Sequence, residues 1–226
     1  MDKDRKVSIF KAVVVFLLFY LRQYFQVIPI LLFHIDVEKA SNQDVVVVNL
    51  FLNALLVLLL FLLYRKELMQ KWQDFKEHKT SYFDTGLRFW FLGLVAMVVI
   101  NVLISMLTPV QNSTNEIAVR TLVDTSPILM IITAGILAPI VEEMTFRKAI
   151  KDIIPNQVLF CIVSGVVFGL MHIIGSASSW YEYLYVLSYG ALGASFAVAY
   201  VKTDNIFTSI TMHAIHNTVL ILLSFL

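Results

Sequence analysis

VVVVNLFLNALLVLLLFLLY, residues 45–64, runs for a full bilayer's length with no charge, glycine or proline. A helix that crosses the hydrocarbon core needs about 20 such residues. Only a structure that pairs its own backbone groups is tolerated there. The stretch therefore reads as a transmembrane α-helix. Its two polar residues, Asn49 and Asn53, are four apart and share a face, so they read as hydrogen-bonding glue between helices.

Further apolar segments lie on both sides of it. Upstream, Val7 to Phe33 is interrupted by RQYFQ at 22–26 and by Pro29, and reads as one tilted crossing, with Arg22 placed to snorkel toward the interface. Its basic start resembles a signal peptide, but no small-residue cleavage site precedes Arg22, so a retained helix is expected. Downstream lie Leu87 to Leu107, Pro127 to Lys148, Gln157 to Ile174, Tyr183 to Val201 and Ile206 to Leu226. The expected fold is all-α, a polytopic transmembrane bundle of about seven crossings (six to eight). The spacing of the segments leaves a single integral membrane domain over residues 1–226.

Composition agrees. Of 226 residues, 59% are hydrophobic and 15% charged, with a mean hydropathy of +0.80; soluble domains carry about a quarter charged residues. The net charge of +1, with basic residues scattered at segment ends, gives nucleic-acid binding no electrostatic support. Cys161 is the single cysteine, which excludes an intrachain disulfide and a thiolate metal cluster.

Short-loop charge sets the orientation. Lys3, Arg5 and Lys6 mark one side, and Arg65, Lys66, Lys71, Lys76 and Lys79 return to it. Arg147, Lys148, Lys151 and Lys202 follow, while the opposite loops carry only Lys39 and Arg120 as basic residues. The positive-inside rule then gives an N-in, C-out chain. Between Tyr64 and Ser81, Leu68, Trp72 and Phe75 recur at near-helical spacing; an ordinary polar connection and a piece lying along the membrane surface are both open.

Ionisable groups inside crossings are the functional candidates, because placing one at a helix centre costs about 2.5 to 3.5 kcal/mol. Glu142, Glu143, His172, His213 and His216 qualify; His34 and His78 sit at segment edges. Glu143 and Arg147 are four apart and can pair, which leaves Glu142 without a sequence-local partner. His213 and Asn217 are also four apart and can present an imidazole and an amide to one cavity. Gly165 and Gly169 share a face near His172, and with Gly190 and Ala194 they permit close helix approach. A carboxylate near a histidine can polarise water for attack on an amide carbonyl, and an imidazole with an amide N–H can hold the developing oxyanion. Other readings stay open: a proton-coupled transporter, or a non-catalytic binding, immunity or assembly protein. A serine protease is disfavoured, since neither Ser164 nor Ser195 sits in a nucleophile motif.

Three motifs in order, Glu142, Glu143 and Arg147 in EEMTFR, Phe168 and His172 in FGLMH, and His213 and Asn217 in HAIHN, resemble the CAAX protease and bacteriocin-processing family, also called Abi or type II CAAX prenyl endopeptidase-like. The likeness spans about residues 126–220. It implies an all-helical intramembrane endopeptidase in which Glu142 activates water with help from His172. His213 and Asn217 form the oxyanion site, with Glu143, Arg147 and Phe168 in support. It also implies a peptide or membrane-protein substrate, prenylated or leader peptides among them, and location in a bacterial cell membrane. No cofactor is implied, although Glu142, His172 and His213 have the number and type of donors a catalytic metal needs, and that reading stays open. No residue reads the oligomeric state.

Overall fold

The computed structural model describes residues 3–225; Met1 and Asp2, in the basic start of the chain, and Leu226, the end of the last expected segment, lie outside them. The elements in chain order are α1 (Lys3–Leu21), a 3-10 turn (Arg22–Gln26), α2 (Val27–Leu32), α3 (Asn42–Glu77), α4 (Lys79–Leu107), α5 (Thr114–Thr125), α6 (Pro127–Ile153), α7 (Gln157–Ile173), α8 (Tyr185–Thr203) and α9 (Ile206–Leu223). A further 3-10 turn, Trp180–Leu184, leads into α8. Among the described residues there is no strand, and the chain is an all-α multi-pass membrane protein. Six helical stretches are long and apolar enough to cross a bilayer, α1 with α2 counting as one; α7, at 17 residues, is a shorter apolar helix.

Local sequence explains the ends. Ser41 and Asp44 form a reciprocal cap at the start of α3: the Ser41 hydroxyl accepts from the Asp44 N–H at 3.2 Å, and the Asp44 carboxylate accepts from the Ser41 N–H at 2.8 Å. With no glycine or proline inside, α3 continues for 36 residues. It passes straight through the polar stretch after Tyr64, so the expected connection is helix almost to its end and breaks only at His78. Asn156 caps α7, its side chain accepting from the Leu159 N–H at 2.9 Å. The opposite change occurs after Thr108, where the sequence reads as a loop and the chain forms α5.

Helix α6 is not a uniform α-helix. Its turns widen to π geometry at Ile131–Leu137 and again at Met144–Ala149. Pro139 has no N–H to offer the carbonyl of Gly135, which accounts for a disturbed ladder at the first site. The six residues between the two wide turns, Ala138–Glu143, carry both glutamates.

The chain divides into two compact units. The first holds residues up to 70, 120–153 and those from 213 on. There Phe19 of α1 meets Phe146 of α6 edge-on at 5.1 Å, and Val46, Val123, Met130 and Ile221 form a buried cluster. Arg22 donates to Asn53 at 3.4 Å, so it is used between helices. Asn49 instead donates to the carbonyl of Val45 on its own helix at 3.0 Å; of the two asparagines read as glue, only Asn53 does that work here.

The second unit holds residues 71–119 and 154–212. Here α4 and α7 pack on α8 through small residues. A Cβ at Gly165 would stand 2.7 Å from the carbonyl oxygen of Gly190, and one at Gly169 would collide with the carbonyl oxygen of Val186. Ile104, Ile173 and Tyr185 close a buried cluster beside this contact. Large apolar side chains such as Phe91, Leu103, Val158 and Leu187 remain exposed, as a lipid-facing surface requires.

Candidate active site

In the first unit, Glu143 and Arg147 are both fully buried and form an ion pair with Nε 3.2 Å from Oε2. The other oxygen of Glu143 lies 2.8 Å from Nδ1 of His213. A carboxylate can only accept, so Nδ1 carries the hydrogen and the imidazole is held in one orientation. The line Arg147, Glu143, His213 is thus continuous. His213 is itself buried, and its Nε2 faces Oε2 of Glu142 at 3.7 Å, outside hydrogen-bond distance but within ion-pair range of a protonated ring.

Glu142 differs from its neighbour. Its side chain keeps 21% of its exposure, and among the described residues its buried Oε2 accepts no hydrogen bond. Such a group costs about 1 to 3 kcal/mol or more when charged. Orphaned polar atoms of this kind point to function.

Asn217 lies on α9 one turn beyond His213, and its amide donates to the carbonyl of Ala134 at 2.9 Å. Ala134 belongs to the first wide turn of α6, where the helical ladder is broken, so one N–H of Asn217 satisfies that backbone. The amide has a second N–H for other work. Gly135 allows the close approach: a Cβ there would lie 2.8 Å from the Thr218 hydroxyl. His216 is buried on the same helix.

His172 and Phe168 belong to the second unit. The Nδ1 of His172 faces the carbonyl of Phe168, four residues earlier, at 2.9 Å. A carbonyl only accepts, so Nδ1 is the protonated nitrogen, and in the neutral ring Nε2 is left as the acceptor. Phe168 is buried, with its ring 4.4 Å from the imidazole. Tyr189 stacks on the imidazole at 4.6 Å and 21°. Sequence spacing gave the Phe168 contact but not Tyr189, whose only signal is an aromatic residue in an otherwise small-residue run. As for the open metal reading, among the described residues no group of three or more His, Cys, Asp or Glu side chains is placed to hold a metal ion.

The family described as Type II CAAX prenyl endopeptidase Rce1-like matches residues 124–219. This stretch is thus similar to the Rce1-like family over somewhat under half of the chain. All three motifs fall inside this Rce1-like segment. The "Putative membrane peptidase YdiL" of Bacillus subtilis (strain 168) is 31% identical over 116 residues, 50% of this chain and 44% of that protein. The "UPF0177 protein YxdF" of Lactococcus lactis subsp. lactis (strain IL1403) is 27% identical over 132 residues, 56% of this chain and 71% of that protein. The chain thus spans less than half of the first relative's length. No solved structure matches it.

Proposed function

We propose that the chain is a metal-independent intramembrane glutamate endopeptidase. The observation that carries this reading is the Glu142 carboxylate, buried at one oxygen without a hydrogen bond, beside a histidine whose far nitrogen is fixed by a second glutamate. A carboxylate so placed can take a proton from water as the water attacks a peptide carbonyl. The proton then passes to the leaving amine. Nε2 of His213, when the ring is doubly protonated, and the spare N–H of Asn217 supply donors for the tetrahedral oxyanion. Glu143 and Arg147 hold His213 for that task. His172 keeps its assisting role on the strength of its motif and of an Nε2 left as an acceptor. The Rce1-like family and the name of the first relative support a membrane peptidase, and substrates are proposed to be membrane-associated peptides, prenylated or leader peptides among them. Its setting is proposed to be a bacterial cell membrane.

The test is cleavage of a labelled peptide library by purified protein in liposomes, with wild type, Glu142→Ala and His172→Ala, each with and without chelator. Cleavage by wild type that chelator leaves intact and both substitutions abolish is the expected result. Retained cleavage in Glu142→Ala overturns the assignment of the base. Loss on chelation overturns metal independence.

A further inference from the structure

We infer that Tyr189 is a positioning residue for His172, anchored through its hydroxyl to the capped start of α5; this rests on the role proposed for His172 above. Two rings and one hydrogen bond hold the imidazole. Phe168 lies against it at 4.4 Å and 47°, Tyr189 stacks on it at 4.6 Å and 21°, and Nδ1 bonds the Phe168 carbonyl. Turning the ring about its χ2 bond would break the bond and the stack together. The Phe168 contacts come from the same helix and move with it. Tyr189 comes from α8, so it fixes the ring against a second element.

The far end of Tyr189 is fixed in turn. Its hydroxyl is 2.9 Å from the hydroxyl of Ser113. Ser113 is fully buried and caps α5, accepting from the Glu116 N–H at 3.2 Å. The next residue, Thr114, is clamped by the buried Glu182, which accepts from its N–H at 2.7 Å and from its hydroxyl at 2.9 Å. These polar groups satisfy one another around the start of α5. Their effect reaches His172 through Tyr189. Proton transfer depends on alignment at the sub-ångström scale, and misplacement of about 1 Å can cost 100-fold in rate.

The experiment measures kcat and KM for peptide cleavage by wild type, Tyr189→Phe, Tyr189→Leu, Ser113→Ala and His172→Ala, together with the ring resonances of 13C-labelled His172 in micelles. Tyr189→Leu removes the stack and is expected to lower kcat about tenfold or more with KM nearly unchanged, while the His172 resonances lose their ring-current shift. Tyr189→Phe keeps the stack but cuts the anchor, so it should lose part of kcat and of that shift, less than Tyr189→Leu does; Ser113→Ala should match it, and wild-type values in both overturn the anchoring. Wild-type kcat in Tyr189→Leu overturns the inference, as does a change confined to KM or an unaltered His172 spectrum. A Tyr189→Phe variant as slow as Tyr189→Leu also overturns it, because the stack is then not what matters. If His172→Ala cleaves at the wild-type rate, the catalytic reading of His172 fails, whereas the ring-current shift still shows whether Tyr189 holds the ring.

Discussion

Glu142 and Glu143 are adjacent in sequence, yet the chain uses them in opposite ways. Both oxygens of Glu143 are in close ion pairs, with Arg147 at 3.2 Å and with His213 at 2.8 Å; Oε2 of Glu142 stands 3.7 Å from His213. Substitution should therefore separate stability from chemistry. Arg147→Met strands a buried carboxylate, and breaking a buried pair costs about 3 to 5 kcal/mol; a large fall in unfolding midpoint in micelles is expected. Glu142→Gln removes no hydrogen bond from its Oε2, so its midpoint should stay near wild type while cleavage disappears. A Glu142→Gln protein that is as unstable as Arg147→Met would show Glu142 to be structural. The pairing of Glu143 with Arg147 was legible because i,i+4 spacing puts them on one face. The bond from Glu143 to His213 was not, since it joins residues 70 apart in sequence and no local pattern encodes it. Asn217 was legible as a polar group beside His213, but its use on the Ala134 carbonyl depends on a broken helical ladder that propensity does not reveal.

Helices α7 and α8 show how much an element owes to the absence of side chains. The recurring small residues in the sequence anticipated this contact, since without a hydrophobic drive between helices in lipid, close backbone approach and dispersion must hold them together. Gly169→Val should force the backbones apart, because its Cβ would meet the Val186 carbonyl oxygen and not a movable side-chain tip. Overpacking of this kind costs about 1 to 3 kcal/mol. Gly175→Ala is the informative contrast. Gly175 has φ of +88° and open space around it, so its substitution carries only the strain of the left-handed region, on the order of 1 kcal/mol. Thermal unfolding that ranks Gly169→Val as no worse than Gly175→Ala would contradict the packing account. The wide turns of α6 were less legible: Pro139 warns of the first, and the structure offers no physical cause for the second.

Crossing number is constrained by which ends meet. Lys71 near the end of α3 pairs with Asp204, just after α8, at 2.9 Å. Asn205 donates to the Lys71 carbonyl at 2.7 Å and to Asp74 at 2.8 Å. All these residues belong to the second unit, so the end of α3 and the turn before α9 share one side of the membrane. An even number of crossings must then separate them. Helices α4, α6 and α8 are long and apolar enough to supply three, and we propose that α7 supplies the fourth. Its 17 residues span about 26 Å at 1.5 Å per residue, against a core of about 30 Å, a shortfall that local bilayer thinning accommodates at modest cost. We propose seven crossings on this ground, and from the basic loops we propose that the shared side is the cytoplasmic one. In a Cys161→Ser background, Lys76→Cys and Lys202→Cys should both resist a membrane-impermeant maleimide in intact cells and react after permeabilisation, whereas Asn112→Cys should react in intact cells. If Lys202→Cys labels together with Asn112→Cys, α7 does not cross. If all three labels exchange sides, the seven crossings stand and the N-in orientation is reversed.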